Sequence, residues 1–433
     1  MEILESIDTG AIYANIALGS ALKSSDFSPD ERAFVTNLVM TCVRMRLALD
    51  WLIDSFLSGK RKHLQERLRK VLRLGLCQVI YMNGIPDHAA VNETVALAKQ
   101  ACGPWATGIT NAIMRRAIVD KADLPWPQRR DGLLEFLSVV YSHPPWLVHI
   151  WLDELGPIDT EALLGANNEP RAQALRINTL KIDVEAAHEL LLRQYADVSQ
   201  SPYLPEAARV ERIRALEPLL RDGFFYAQSE ASMLAAMALD AKPGDSVLDM
   251  CAAPGGKAAH LAAMMKNTGV LVCVDISESR ARLIRANLER SGVTCARVVV
   301  ADAIEVKDLP KADRVLVDAP CSGLGTLYRK SDVRWRRTES DIDDLARLQK
   351  AILANAWRFL KPGGLLIYSV CTISKRETTD VYDWCLETLA AAIPASLFPA
   401  PAPLSGLSGP FLQLLPHIHD TDGMFIAGLR KED

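Results

Sequence analysis

The sequence lacks the features that mark membrane, exported and metal-binding proteins. It contains no run of about 18 apolar residues and no signal peptide, so we expect neither a membrane span nor export by that route. Its 9 cysteines are scattered over 433 residues without a Cys-x-x-Cys pair, so no zinc or redox motif is visible and no bound metal is expected. An odd number of cysteines in a long chain fits reduced thiols, and we therefore expect a cytoplasmic protein.

A strong charge of one sign is also missing. The formal net charge is −4, so any binding to nucleic acid has to rest on local patches rather than on the chain as a whole. The length allows two or three domains, each with its own core. We predict three, at residues 1–139, 140–235 and 236–433.

Residues 1–139 are predicted to be all-α. Apolar residues recur at helical spacing, strand signals are nearly missing, and Ser28-Pro-Asp-Glu31 has the form of a capping box. A basic run within residues 44–73 is compatible with a solvated helix face or with contact to RNA. The run consists of Arg44, Arg46, Lys60, Arg61, Lys62, Arg67, Arg69, Lys70 and Arg73, against Asp50, Asp54 and Glu66.

The stretch 246–257 predicts the start of a doubly wound α/β domain. A short buried strand is followed by the tight turn Pro254-Gly255-Gly256 and then by a helix. The spaced glycines of a dinucleotide site are absent, and Ala252 and Ala258 stand where a phosphate loop needs Gly and Ser or Thr. A ligand with a nucleoside but no phosphate suits such a turn, and S-adenosylmethionine is the candidate cofactor. The alternative is an ordinary strand-to-helix turn without a ligand.

Four successive predicted strands carry a carboxylate at or near their carboxyl ends. These residues are Asp249, Asp275, Asp302 and Asp318. Any one of them could cap a helix, but parallel strands bring their carboxyl ends to one edge of a sheet, so four acids there indicate a pocket. Asp275 lies 26 residues after Asp249, close to the offset of roughly 20 residues at which an acid binds ribose hydroxyls in such folds.

Two cysteine phrases make roughly residues 140–433 resemble the RNA cytosine-5 methyltransferase family. The phrases are Asp318-Ala-Pro-Cys321-Ser-Gly and Tyr368-Ser-Val-Cys371-Thr-Ile, and residues 251–257 match the family's cofactor loop without a mismatch. The resemblance implies a Rossmann-like class I S-adenosylmethionine-dependent domain with a seven-stranded sheet. It also implies cofactor contacts from Cys251, Ala252, Ala253, Pro254, Gly255, Gly256, Lys257, Asp275, Asp302 and Asp318.

The cysteine pair is expected to carry the chemistry. A thiolate that adds to carbon 6 of cytosine makes carbon 5 nucleophilic enough to take a methyl group. By the resemblance, Cys371 is the attacking nucleophile, Cys321 assists product release, Asp318 bonds the cytosine and Lys257 supports the site. In related DNA enzymes a cysteine in a Pro-Cys phrase is the attacker, so the opposite division of labour stays open. Both cysteines could instead be small buried hydrophobes, although each follows a predicted strand of the sheet.

Four residues depart from the family's pattern. Thr378 and Thr379 follow Glu377 where the family carries Glu-Asn-Glu, and Val370 replaces the usual Thr. Ser229 replaces a usual Asp, which leaves a cofactor contact from that position in doubt. We expect these changes to affect support around the site rather than the reacting groups.

Residues 328–337, between the two cysteines, interleave basic and aromatic side chains. That pattern suits phosphate contact combined with base stacking, and a surface charge cluster is the alternative. A target base must be unstacked to enter a pocket, so single-stranded or loop RNA is favoured. The predicted RNA contacts are Arg329, Lys330, Arg334, Trp335 and Arg336.

The first two predicted domains have resemblances of their own. Residues 74–81, 87–94 and 111–116 resemble the helical RNA-binding fold of the antitermination factor NusB. Residues 174–180 resemble the small α+β subdomain that precedes the catalytic core in the cytosine-5 family. We expect the helical domain to add RNA affinity without doing chemistry.

The combination of these three domains predicts an S-adenosylmethionine-dependent methyltransferase that acts on carbon 5 of a cytosine in ribosomal RNA. We expect that RNA to be small-subunit RNA. We expect a monomer with ribosomal RNA as partner and neither membrane nor metal. Three alternatives stay open. They are an RNA-binding ribosome-assembly factor with an idle cofactor pocket, the same chemistry on tRNA or large-subunit RNA, and the same fold acting on a protein or small molecule.

Overall fold

The computed structural model describes residues 1–8, 12–23, 25–57, 64–195, 197–211, 213–398 and 409–432. Of the basic run, Lys60, Arg61 and Lys62 lie outside the described residues. The chain divides into two compact units. The first comprises Met1–Glu169 together with Leu327–Arg337, and the second comprises Pro170–Thr326 and Thr338–Asp433.

The regular elements described in the first unit are all helices, as the sequence predicts for its amino-terminal part. Nine precede residue 169, and the ninth changes direction at Gly156, where φ is 78° and Pro157 follows. Their bounds are α1 (Glu2–Asp8), α2 (Ala14–Lys23), α3 (Pro29–Arg44), α4 (Arg46–Phe56), α5 (Glu66–Tyr81), α6 (Asp87–Cys102), α7 (Ala106–Val119), α8 (Leu133–Val140) and α9 (Pro145–Ala166).

Helix α3 begins at the predicted capping box. The Ser28 Oγ accepts a hydrogen bond from the Glu31 amide at 3.3 Å, and the Glu31 carboxylate accepts one from the Ser28 amide at 2.8 Å. Two amide groups that the helix end would leave without partners are satisfied in this way. The core of the unit is aliphatic and includes the fully buried Leu49, Leu52, Ile53, Leu68, Leu72 and Leu76.

Two arginines of the basic run, Arg69 and Arg73, form an ion-pair network within the helical unit. Arg73 is 5% exposed, and its guanidinium donates to both carboxylate oxygens of Asp50 at 2.7 and 2.8 Å. Arg69 pairs with Asp54 at 2.7 Å, and Glu66 lies 3.4 Å from Arg73. Asp50 and Asp54 of α4 therefore bind Arg69 and Arg73 of α5, and these two arginines contribute to the packing of the two helices.

The second unit begins with a small α+β segment. Its antiparallel sheet has the order β2-β3-β1-β4 and packs Leu175, Ile177 and Phe225 into a local core. The elements are β1 (Gln173–Ile177), α10 (Val184–Gln194), β2 (Val198–Gln200), β3 (Ala207–Val210), α11 (Glu217–Arg221) and β4 (Phe225–Ala227).

A large mixed sheet with helices on both faces follows, which confirms the predicted Rossmann-like class. Val247 and Leu271 pack on the side of α13, and Leu248 and Val272 on the side of α16, because successive strand residues point to opposite faces. The elements are α12 (Glu230–Ala238), β5 (Ser246–Asp249), α13 (Gly256–Met264), β6 (Val270–Asp275), α14 (Glu278–Arg290), β7 (Ala296–Val300), β8 (Ala312–Asp318), α15 (Val333–Arg336, in the first unit), α16 (Glu339–Phe359), β9 (Leu360–Val370), α17 (Thr379–Thr388), β10 (Ala392–Pro394), β11 (Phe411–Leu414), α18 (Pro416–His419) and β12 (Met424–Lys431).

The sheet has eight strands where the sequence predicts seven. Seven form the path β10-β12-β9-β8-β5-β6-β7, in which β9 to β7 are parallel and β12 is antiparallel. One edge of β12 pairs with two short strands, β11 over Met424–Ala427 and β10 over Leu429–Lys431. The two short strands, β10 and β11, carry little periodicity of their own, so the sequence gives no local signal for either.

Candidate active site

The predicted cofactor loop lies between β5 and α13, at the carboxyl edge of the parallel strands. Gly255 has φ of 103°, and a Cβ there would meet the Ile284 Cα at 3.3 Å, so the turn requires glycine. The Pro254 carbonyl accepts a hydrogen bond from Asn287 at 2.7 Å, and the Ala252 amide donates to the Val274 carbonyl at 2.9 Å. The loop is therefore fixed against β6 and α14.

Asp275 ends β6, the strand beside β5, and Asp302 lies two residues after β7, the next strand of the sheet. Asp275 is 3% exposed, and its carboxylate accepts from the Ala253 amide at 3.3 Å and from the Ser277 amide at 3.2 Å. Asp302 accepts from the Ile304 amide at 2.9 Å. Each carboxylate oxygen can accept more than one hydrogen bond, so Asp275 retains acceptor capacity beside the loop.

Asp249, at the end of β5, is a buried carboxylate with few hydrogen-bond donors to compensate for its loss of contact with water. It is 1% exposed, and among the described residues neither carboxylate oxygen meets a donor in good hydrogen-bond geometry. Burial, together with the charge of Asp318, raises the pKa of Asp249 to about 7, and Lys257 and the Cys251 amide offset this only in part.

This set of acids fits S-adenosylmethionine. The cofactor carries a sulfonium, an ammonium and ribose hydroxyls, all of which seek carboxylates or other acceptors. Asp249 and Asp275 lie beside the turn, where the Asp275 carboxylate accepts from the Ala253 amide, and Asp302 follows the next strand of the sheet. Residues 251–257 and these acids are accordingly the groups that would hold it.

The charge on Asp249 should make the stability of the cofactor-free protein depend on pH. Because the pKa is raised on folding, the native protein holds a proton that the unfolded chain releases between about pH 4 and 7, so stability falls as pH rises through that window. Asp249→Asn removes this dependence. We expect its stability advantage over the parent to grow by roughly 2–3 kcal/mol between pH 5 and pH 8, and to vanish only below about pH 4.

Urea unfolding of both proteins between pH 5 and 8 measures the effect. Asp308→Asn, at an exposed position, is the matched control and should follow the parent at every pH. Identical pH dependence of Asp249→Asn and the parent would contradict the expectation.

Lys257 and Asp318 form an ion pair in the site. The Lys257 Nζ lies 2.8 Å from one carboxylate oxygen of Asp318, and the Ser369 hydroxyl donates to the other at 2.8 Å. Burial alone would lower the pKa of Lys257, but the Asp318 carboxylate outweighs it and raises the pKa above its ordinary value. The lysine is thus a fixed positive charge, and Asp318 is oriented from both sides.

The two cysteines of the resemblance lie side by side. Cys321 follows β8 and Cys371 follows β9, and these neighbouring parallel strands place the sulfur atoms 3.2 Å apart. Both side chains are partly exposed. Contact with Cys371 raises the pKa of the Cys321 thiol well above its ordinary value, and burial and nearby carboxylates add to the shift. The geometry brings two thiols and the Asp318–Lys257 pair to one edge of the sheet.

Sequence reasoning missed a buried polar cluster directly behind the cysteines. Glu377 is 0% exposed and accepts hydrogen bonds from Ser322, Thr372 and Gln349. The family pattern pointed only to Glu377, and nothing in the sequence signals that Gln349, in α16, reaches the same place. The contact exists only once α16 packs on the sheet.

Residues 328–337, the basic-aromatic segment, include both exposed and buried side chains. Arg329 and Lys330 are exposed. The predicted RNA contact from Arg334 is wrong for this structure: the side chain is 0% exposed and donates to Asn168 Oδ1 at 2.9 Å and to the Ser142 carbonyl at 3.1 Å.

The next two residues of the segment are also engaged inside the helical unit. The Trp335 indole donates to the Val43 carbonyl at 2.6 Å, and Arg336 pairs with Asp332 at 3.1 Å and also donates to the Ile12 carbonyl. Both side chains are half-buried, so RNA contacts from Trp335 and Arg336 stay predictions.

The departures from the family's pattern have local explanations. The Ser229 hydroxyl accepts from the Ser232 amide at 3.3 Å and so caps α12, a task that Asp performs equally well. Thr378 donates to the Ser374 carbonyl at 2.9 Å, and Val370 is fully buried. These side chains contribute to the fold around the cysteines.

Within the described residues, no group of three or more His, Cys, Asp or Glu side chains is arranged to hold a metal ion. No described helix has the length and apolarity required to cross a membrane.

Known proteins resemble the chain over its whole length. The family described as 16S rRNA methyltransferase RsmB/F matches residues 236–430, the NusB family matches residues 1–119, and the RsmF/B-like ferredoxin-like domain matches residues 143–217. A Bacillus subtilis protein called probable ribosomal RNA small subunit methyltransferase B is 32% identical, with coverage of 100% of this chain and 98% of the relative.

Solved structures give the same result. The crystal structure of PH0851 aligns with a TM-score of 0.80 and 27% identity, over 99% of this chain and 97% of that one. NSun6 from Pyrococcus horikoshii, solved with the S-adenosylmethionine analogue SFG, aligns with a TM-score of 0.59 and 25% identity, over 67% of this chain and 98% of that one.

Proposed function

The chain belongs to the 16S rRNA methyltransferase RsmB/F family and is an S-adenosylmethionine-dependent rRNA methyltransferase, and we propose that it methylates carbon 5 of a cytosine through a covalent cysteine adduct. The observation that carries the proposal is the pair of sulfur atoms 3.2 Å apart beside the Asp318–Lys257 ion pair. The three domains would be residues 1–139, 140–235 and 236–433.

The reaction requires a nucleophile, an acid-base partner and a route for release. The Cys371 thiolate adds to carbon 6 of the cytosine, and the electrons of the 5,6 double bond move to carbon 5. S-adenosylmethionine, when bound, supplies an electrophilic methyl group on a sulfonium. Carbon 5 takes this methyl group as the bond from the methyl group to the sulfonium sulfur breaks. A base then accepts the proton from carbon 5, which restores the double bond and expels the Cys371 thiolate. Cys321, next to it, assists this release.

Asp318 would hold the base during the addition. Its carboxylate is aimed by Lys257 and Ser369, so it can accept a hydrogen bond from the cytosine amino group without reorganising. The positive charge of Lys257 keeps Asp318 acting as an acceptor and stabilises negative charge that develops on the ring. Both effects depend on the ion pair being largely withdrawn from water.

We propose small-subunit rRNA as the substrate and a cytosine in a single-stranded or loop segment as the target, because the base must leave its stack to meet the cysteines. The name of the Bacillus subtilis relative supports this substrate class. Work on ribosomal RNA in bacteria takes place in the cytoplasm, where the free thiols would stay reduced.

The exposed pair Arg329 and Lys330 is proposed to contact RNA phosphates. We expect Arg329→Gln/Lys330→Gln to raise the Michaelis constant for RNA several-fold with little change in cofactor affinity. The dependence of log affinity on log salt should become shallower by about 1.4 if two single-strand phosphate contacts are lost. Lys307→Gln/Arg358→Gln, at exposed positions elsewhere, is the control. An unchanged salt slope would argue against the contact.

Mass spectrometry of nucleosides tests the proposed reaction. The protein is incubated with S-adenosylmethionine and undermethylated small-subunit RNA, as naked RNA and as an assembling particle. We expect 5-methylcytidine as the product. Absence of methylation on both substrates would favour an assembly factor with an idle pocket, and a methyl group at another atom would overturn the cysteine chemistry.

A further inference from the structure

A fully buried carboxylate connects the two cysteine loops. Ser322, the residue after Cys321, donates its amide to Glu377 Oε1 at 2.8 Å and its hydroxyl to Oε2 at 2.5 Å. Thr372, the residue after Cys371, donates its hydroxyl to Oε2 at 3.2 Å. The two hydroxyls are themselves 2.8 Å apart. Each loop is thus tied to the same carboxylate one residue away from its sulfur atom.

The carboxylate is itself held from behind by side chains that are 0% exposed. Gln349 donates to Glu377 Oε1 at 3.0 Å and to the Pro320 carbonyl at 2.9 Å. The Tyr368 hydroxyl lies 2.7 Å from the Glu377 carbonyl and 2.9 Å from Gln349 Oε1. A buried network in which the members hold one another in place fixes geometry more firmly than isolated contacts do.

Donors converge on Glu377 from both loops and from α16. The amide and hydroxyl of Ser322, the hydroxyl of Thr372 and the amide of Gln349 all point to its two oxygens. An ionised carboxylate accepts all four bonds, whereas a neutral amide would place a donor against donors. The arrangement therefore calls for a carboxylate at position 377 and not merely for a side chain of that size.

We propose that Glu377 is a positioning residue that sets the distance and orientation between the Cys321 and Cys371 thiols. The inference rests on the proposed cysteine chemistry, because its effect on turnover matters only if both thiols act on one base. Glu377 does not touch the base itself. It acts through Ser322 and Thr372, which lie between it and the two sulfur atoms in the chain.

Glu377→Gln tests the proposal with almost no change in side-chain volume. We expect turnover to fall about 100-fold, since a misplacement of about 1 Å in reacting groups can cost that much. The Michaelis constants for RNA and cofactor should stay within about threefold of the parent, because neither ligand contacts the amide. Glu377→Asp, which keeps the acceptor, should recover part of the loss.

A thiol cross-linking assay measures how close the two sulfur atoms lie, and a general loss of stability would not change that result while the protein stays folded. Dibromobimane bridges thiols that are close together, and peptide mapping identifies the Cys321–Cys371 product. We expect the parent to be bridged efficiently and Glu377→Gln poorly, at a temperature where both are folded by circular dichroism. Glu387→Gln, an exposed carboxylate in the following helix, is the matched control and should behave as the parent.

The outcomes separate this inference from the proposed function. If the parent makes 5-methylcytidine but Glu377→Gln keeps its cross-link and turnover, the positioning role is overturned and the function stands. If the parent does not methylate carbon 5 of cytosine, the cross-linking yields still show whether Glu377 positions the two thiols. Should Glu377→Gln not fold, Ser322→Ala, which removes one donor, is expected to lower both readouts about tenfold, and unchanged values would overturn the role.

Discussion

Cys371→Ala is expected to abolish methyl transfer, with a loss on the order of 10⁴-fold or more, as when the nucleophile of a covalent enzyme is removed. Without the thiolate, carbon 5 of cytosine stays too electron-poor to take the methyl group. Affinity for cofactor should be unchanged, because the sulfur contributes to the reaction rather than to the loop at residues 251–257. Transfer of tritium from labelled cofactor to RNA measures the loss.

The matched control for this variant is Cys295→Ala, which removes a partly exposed thiol outside the site and should keep full activity. Retention of more than a few per cent of turnover by Cys371→Ala would contradict its role as nucleophile. If Cys371→Ala stayed active and Cys321→Ala did not, the roles of the two cysteines would be exchanged.

Asp318→Asn is expected to lower turnover by about 10²- to 10³-fold, the range found when a preorganised group at a reacting centre is removed. The change keeps the shape of the side chain but removes the charge that pairs with Lys257 at 2.8 Å, and it replaces one of the two acceptor oxygens with a donor NH2 group. Single-turnover rates with saturating RNA measure the chemical step. Calorimetry measures cofactor affinity separately, because Asp318 is also among the predicted cofactor contacts.

Strand β8, which ends at Asp318, also carries a similar Asp–Lys ion pair that serves as a control. Asp313, near the other end of β8, lies 2.9 Å from Lys361, and both side chains are more than a third exposed. Asp313→Asn should leave turnover unchanged and cost at most about 1 kcal/mol of stability, as is usual for a surface pair. Equal effects of the two substitutions on turnover would show that Asp318 acts through the fold rather than through the reaction.

The parts of the fold that follow from local chemistry could be predicted from the sequence. Ser28 and Glu31 form a capping box because the required atoms are three residues apart in one turn. The turn at Gly255 follows from the Pro-Gly-Gly phrase, and the meeting of Cys321 with Cys371 follows from two parallel strands that end at one edge. In each case the decisive contacts are set by spacing in the chain or by sheet geometry.

Other features depend on which distant elements pack together, and the sequence carries no local signal for them. Arg334 resembles an RNA-binding residue among basic neighbours, yet Asn168 and Ser142, more than 160 residues earlier in the chain, bury it. Arg69 and Arg73 formed part of an apparent basic face until their pairing with Asp50 was visible. A charge in a sequence indicates a binding surface only after its internal partners are known.

The proposed chemistry requires that Cys371 forms a covalent bond to the target cytosine and that Cys321 assists its release. The decisive experiment incubates Cys321→Ala with cofactor and end-labelled small-subunit RNA and analyses the products on a denaturing gel. The expected result is a stable protein–RNA adduct that peptide mapping assigns to Cys371 and that neither Cys371→Ala nor the double variant forms. An adduct that accumulates with Cys371→Ala but not with Cys321→Ala would contradict the claim.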